Sequence, residues 1–89
     1  MKADYQEIEL VFSNLMKSLD GFFVPEELLE IKEFIDYGEY GLALETTIDI
    51  VFEERKLITN DSFNLIMKLS SLMHIDKNIT SDRLKEFII

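Results

Sequence analysis

Cysteine and tryptophan are absent from this 89-residue chain, histidine and proline occur once each, and glycine three times. Without cysteine there is no disulfide framework, no thiolate metal site and no cysteine nucleophile, which suits a reducing cytoplasm. No apolar run exceeds three residues, so the sequence predicts neither a membrane span nor a signal-peptide core. Bases are scarce as well: 9 Lys and Arg face 18 Asp and Glu, a formal net charge of −9. That field repels nucleic acid and anionic membranes and attracts a basic protein. What the chain does hold is 47% apolar content, too much for a disordered segment. A chain of this length buries roughly 64% of the surface its unfolded form exposes, enough for one core. Residues 1–89 are therefore expected to form a single domain.

The acidity is concentrated. Residues 20–54 carry 11 carboxylates and one base, Lys32, whereas residues 55–89 carry six bases (Arg55, Lys56, Lys68, Lys77, Arg83, Lys85) against Asp61, Asp76, Asp82 and Glu86. The middle of the chain is thus the anionic part, and the C-terminal third is slightly cationic.

Apolar residues recur at helical spacing throughout, and no stretch alternates long enough for a strand. The expected fold class is all-α: a compact, mainly antiparallel bundle of four helices plus a short C-terminal helix. The first helix is predicted from about Ala3 to Ser18, with Tyr5, Ile8, Phe12, Leu15 and Leu19 on one stripe. Asp20 and Gly21 end it. Pro25, Glu26 and Glu27 suit a helix start. That second helix should bury Leu28, Ile31, Phe34 and Ile35 and close at Gly38. A third is expected from Tyr40 or Gly41 to about Lys56, with Leu44, Ile48, Val51 and Phe52 inward. Thr59, Asn60 or Asp61 should cap the fourth. It carries Phe63, Leu65, Ile66, Met67, Leu69, Leu72 and Met73, and on that count it should be the most buried. A loop is expected at 76–78, with Thr80 or Ser81 capping a last helix that carries Leu84, Phe87 and Ile88.

Little of this points to catalysis. His74 has neither a second histidine nor a cysteine to share a metal, and Asp76 is its only nearby carboxylate; no metal or cofactor is expected. Ser70 and Ser71 lack a nucleophile-elbow frame. Asp76, Asn78, Thr80 and Asp82 alternate like calcium-loop oxygens, but Ser81 stands where Gly is needed and Phe87 where a bidentate Glu is needed. Two sequons, at Asn60 and Asn78, have no secretory signal before them, and no glycine-rich phosphate loop exists. Carboxylate pairs are plentiful, yet acid–base work needs a pocket that separates their pKa values, and a filled small bundle offers little concave surface. The chain is expected not to be an enzyme.

The stronger constellation is a surface. Glu45, Asp49 and Glu53 follow one another at four-residue spacing on the third helix, and Glu26, Glu30 and Glu33 make a second stripe on the helix before it. Like charges at that spacing destabilise an isolated helix by roughly 0.2–0.5 kcal/mol per pair. Solvated faces account for most such stripes; here the scarcity of cations favours a binding role. Tyr37, Glu39 and Tyr40 lie between the stripes, and tyrosine is enriched at binding hot spots. Packing of both rings at the corner between helices is the structural alternative. Leu10, Leu42 and Ile50 are apolar positions expected at the surface, suited to dimerisation or to a partner.

The run from Pro25 through Glu33-Phe34-Ile35, followed by Gly38-Glu39-Tyr40-Gly41-Leu42-Ala43-Leu44-Glu45, resembles the centre of the Maf-type (MafI) immunity proteins, small acidic bacterial proteins encoded beside polymorphic or contact-dependent toxins. The likeness extends with decreasing clarity from about residue 5 to 75. It implies a protein that binds a cognate toxin domain, often a basic nuclease, and blocks it. The residues expected to make that contact are Glu30, Glu33, Tyr37, Glu39, Tyr40, Glu45, Asp49 and Glu53. A helical adaptor or scaffold that binds another basic protein is the alternative expectation. The oligomeric state and the role of the tail after Asp76 are open at this level.

Overall fold

The computed structural model describes residues 5–89, so the expected helix start at Ala3 lies outside the described residues. Five α-helices follow in order: α1 (Tyr5–Leu19), α2 (Pro25–Asp36), α3 (Tyr40–Glu54), α4 (Asn60–Leu72) and α5 (Lys77–Leu84), then a 3₁₀ turn at Lys85–Phe87. Backbone chemistry sets their ends. Pro25 opens α2, and the Glu27 carboxylate accepts the Val24 N–H at 2.9 Å. Gly38, at φ +73°, closes it, with the Glu39 N–H reaching back to the Phe34 carbonyl at 2.8 Å. Thr59 caps α4 by accepting the Ser62 N–H. His74 takes a left-handed φ of 58° just past α4, which gives the lone histidine a structural task. Among the described residues no group of three or more potential ligands could hold a metal.

α1 packs mainly on α4, and α2 mainly on α3. Both pairs are antiparallel: Ser18 near the end of α1 meets Ser62 at the start of α4 at 2.7 Å, and Lys56 just beyond α3 meets Glu27 at the start of α2 at 3.0 Å. α5 lies against both α3 and α4 and bridges the two pairs on one side. It runs parallel to α3, since Arg83 meets Asp49 and the later Phe87 meets the later Phe52.

One core joins these elements, built from Ile8, Val11, Phe12, Leu15, Leu19, Phe23, Ile31, Leu44, Val51, Ile58, Ile66, Leu69, Leu84 and Phe87. The tail closes it. Ile58 donates its N–H to the Phe87 carbonyl and accepts that of Ile89, both at 2.9 Å, so the last residues are tied to the connection between α3 and α4. No buried side-chain polar atom among the described residues lacks a hydrogen-bond partner.

Several expectations are corrected. α4 is not the most buried helix: its buried apolar residues are Ile66 and Leu69, whereas α1 buries Ile8, Val11, Phe12, Leu15 and Leu19. Apolar residues around a whole circumference cannot all face one core. Phe52 is 49% exposed, on the α5 side of its helix rather than inward. Ile50, expected at the surface, is half-buried and packs on the core. The last helix starts at Lys77 rather than near Thr80, because the Asp76 carboxylate accepts the Asn78 N–H at 2.8 Å and caps it earlier. Thr80 is consequently inside α5, buried, with its hydroxyl 3.4 Å from that of Ser70.

Candidate partner-binding surface

Three of the 11 carboxylates between residues 20 and 54 are held by cations. Glu27 pairs with Lys56, Asp36 with Lys32 at 2.8 Å, and Asp49 with Arg83 at 2.8 Å. The other eight, Asp20, Glu26, Glu30, Glu33, Glu39, Glu45, Glu53 and Glu54, are all exposed, and none has an ion-pair partner among the described residues. The six bases of the C-terminal third therefore leave most of the middle segment's charge uncancelled.

Helix geometry groups these side chains. α2 buries Ile31 and packs Leu28, Phe34 and Ile35 on the core. At about 100° per residue, Glu26, Glu30, Glu33 and Tyr37 fall together on one flank of the helix, while Lys32 and Asp36 fall on the opposite flank. The Lys32 flank looks toward α1, since Lys32, Ile35 and Asp36 line a groove with Phe12, Ser13 and Met16. The glutamates are thereby placed on the flank away from that groove, open to solvent.

The α3 stripe is less uniform. Glu45 and Glu53 are exposed, but Asp49 between them is half-buried and held by Arg83, whose guanidinium also sits 5.2 Å from the Phe52 ring centroid. Phe52 meets Phe87 edge to face at 6.3 Å, and Arg55 caps Phe87 from 5.6 Å. Asp49 thus belongs to an arginine–aromatic corner that fastens α5 to α3, and the expected continuous stripe Glu45–Asp49–Glu53 is interrupted at its middle member.

The two tyrosines divide between the open readings. Tyr37 is 80% exposed, and its side chain has no hydrogen bond or ring contact among the described residues; only its backbone N–H is held, by the Glu33 carbonyl at 3.1 Å. Tyr40 stacks on Tyr5 with centroids 5.6 Å apart and on Phe12 at 6.3 Å, and its hydroxyl donates a hydrogen bond to the Glu9 carboxylate. That hydrogen bond, and secondarily desolvation and the charge of Glu9, hold the Tyr40 phenol above its ordinary pKa of 10.0. Tyr40 is therefore a corner-packing residue that fixes α3 on α1, and it presents an edge rather than a free ring.

Apart from Leu42, sequence reasoning missed the apolar surface beside the carboxylates. Where α3 begins, a shallow groove is lined by Tyr5, Glu39, Gly41, Leu42, Met73 and Ile75. A second, narrower groove of about 270 Å³ lies between α3 and α5, lined by Gly41, Glu45, Ile48, Ile75, Ile79 and Arg83. Gly41 and Ile75 belong to both. The signal was present in the four-residue spacing of Ile75 and Ile79, but it was hidden by placing a loop at 76–78.

No helix among the described residues is long and apolar enough to cross a membrane. Comparison of the chain with family models, curated proteins and solved structures gives no match.

Proposed function

From an acidic surface that its own chain leaves open, we propose that this protein is an inhibitor of the immunity type, which binds a cognate cationic toxin domain, a basic nuclease, and blocks it in the cytoplasm. The observation that carries the reading is the set of eight exposed carboxylates without ion-pair partners among the described residues, borne on packed helices. The resemblance of Gly38 to Glu45 to Maf-type immunity proteins supports it from the side of sequence.

The physics is that of charge complementarity. A nuclease holds a polyanion, so its cleft is lined with Lys, Arg and His. Carboxylates fixed along a helix can occupy the subsites that phosphates would take, and they offer no bond to cleave. Because α2 and α3 are anchored by Ile31, Leu44 and Val51, the backbone that carries these side chains needs little ordering on binding, and the cost is confined to their rotamers. Steering between opposite fields raises association rates toward about 10⁸–10⁹ M⁻¹s⁻¹ at low salt. Inhibition is then steric and electrostatic, with no chemical step in the inhibitor.

Co-expression with the reading frame immediately upstream of the gene tests this directly. The expected result is growth arrest by the upstream product alone and rescue when this protein is present. An upstream frame that is harmless, or a toxic one that is not rescued, would favour the adaptor reading instead.

A further inference from the structure

Gly41 is a residue without a reason inside the fold. It lies in the first turn of α3, it has no positive φ, and a Cβ built on it meets no neighbouring heavy atom within 4 Å. Neither backbone conformation nor internal packing requires glycine there, while glycine is the poorest helix former after proline. Gly21 and Gly38 differ, since their φ values of +90° and +73° demand glycine.

Gly41 stands where two grooves adjoin, and it lines both. It forms the saddle between the groove toward α1 and α4 and the groove toward α5, and Ile75 lines both from the other side. Around this saddle stand exposed apolar side chains from four places in the chain: Tyr5, Leu42, Ile75 and Ile79, the last 62% exposed. Glu39 and Glu45 bracket it in sequence and line one groove each, both without an ion-pair partner among the described residues. Arg83 also lines the second groove, but its charge is offset by Asp49 at 2.8 Å, so the uncompensated charge on the rim is that of the two glutamates. Apolar surface rimmed by polar groups marks an interaction site.

We propose that the saddle at Gly41 is the anchor point for the cationic partner, where a segment of that protein lays its backbone across Gly41, places one apolar side chain in each groove, and sets flanking Lys or Arg against Glu39 and Glu45. The inference rests on the cationic-partner reading given above and adds where the apolar contact is made. Charge selects this occupant over a second copy of the chain: two molecules of net charge −9 would bring Glu39 and Glu45 against their own kind. A bare glycine allows the close backbone approach, and the carboxylates on the rim fix the sign of the partner.

Two synthetic 12-residue peptides of equal charge test it, one of alternating leucine and lysine pairs and one with serine replacing each leucine. Calorimetry should give the leucine peptide at least tenfold tighter binding, with amide shifts in ¹⁵N-labelled protein concentrated at Gly41, Leu42, Ile75 and Ile79. Gly41→Leu should abolish that preference without lowering the melting temperature, and Ile79→Ser, at an exposed position, should reduce it severalfold. Equal binding of both peptides, with shifts spread along Glu26, Glu30 and Glu33, would overturn the saddle while leaving the cationic-partner reading intact. If neither peptide binds, both readings fall. Self-association in sedimentation runs that is lost in Gly41→Leu would overturn the proposal in favour of a homodimer contact.

Discussion

On α2, Glu26, Glu30 and Glu33 stand in solvent with no described cation against them, whereas on α3 the middle member of Glu45, Asp49 and Glu53 is held 2.8 Å from Arg83. The two stripes have nearly the same spacing, and that spacing says only that each stripe shares a face. What differs is the neighbour. α2 has an open flank, but α3 is overlain on one side by α5 and the 3₁₀ turn after it, which bring Arg83 and Phe87 onto Asp49 and Phe52. An acidic stripe is thus available to a partner only to the extent that no later element of the chain packs beside it.

The largest effect should come from removing the element that makes the stripes different. Leu84 anchors α5 with no exposed surface, and Leu84→Ala should cost about 2–5 kcal/mol by urea unfolding. A loss under about 1 kcal/mol would mean that α5 is peripheral and Asp49 is free in solution. Next comes the pair that ties α2 to α3. Lys56 and Glu27 are both mostly buried, so Lys56→Ala leaves a largely enclosed carboxylate without its counter-charge, held only by the Val24 N–H, and should cost about 1–3 kcal/mol.

Charge reversal sharpens the contrast further. Glu26→Lys/Glu30→Lys/Glu33→Lys should weaken binding of a cationic partner at least tenfold with unchanged circular dichroism. Reversing Asp49 alone changes the charge by a third as much and should weaken it less. Arg83→Gln is the small converse: stability should fall by at most about 1 kcal/mol, as for exposed pairs generally, while association with a cationic partner quickens.

The smallest signal separates the tyrosines. The Tyr40 phenol is raised above its ordinary value by its hydrogen bond to Glu9, so the folded state holds that proton more tightly than the unfolded chain does. Its contribution is therefore fully present below the ordinary pKa of 10.0 and is lost as pH climbs through the higher folded value. In a spectrophotometric titration Tyr40→Phe should remove an ionisation that lies above the ordinary phenol value of 10.0.

Much of the fold was legible because it is written in local signals. Gly38, Pro25 and Thr59 do the jobs their chemistry implies, and the stripe through Ile8, Phe12, Leu15 and Leu19 is the buried face of α1. The misplaced features share one cause. Phe52, Tyr5 and Asp49 each sit on a helix flank whose exposure depends on α5 or on a neighbouring ring, and periodicity within one helix does not report what lies next to it. Asp76 competed with Thr80 and Ser81 as a cap, and the earlier residue won by reaching the Asn78 N–H. The candidate site was half legible: the glutamates were readable from composition, while the grooves beside Gly41 arise only when α3, α4 and α5 meet.

Association kinetics with the purified product of the reading frame immediately upstream bear most directly on the claim that an uncompensated acidic face recruits a cationic partner. Wild type should associate rapidly at low salt and lose most of that rate by 0.5 M sodium chloride, since surface charges are screened over about 10 Å at 0.1 M and less above it. The Glu26→Lys/Glu30→Lys/Glu33→Lys variant should start slow and respond little to salt. Equal rates for the two proteins at every salt concentration would contradict the account.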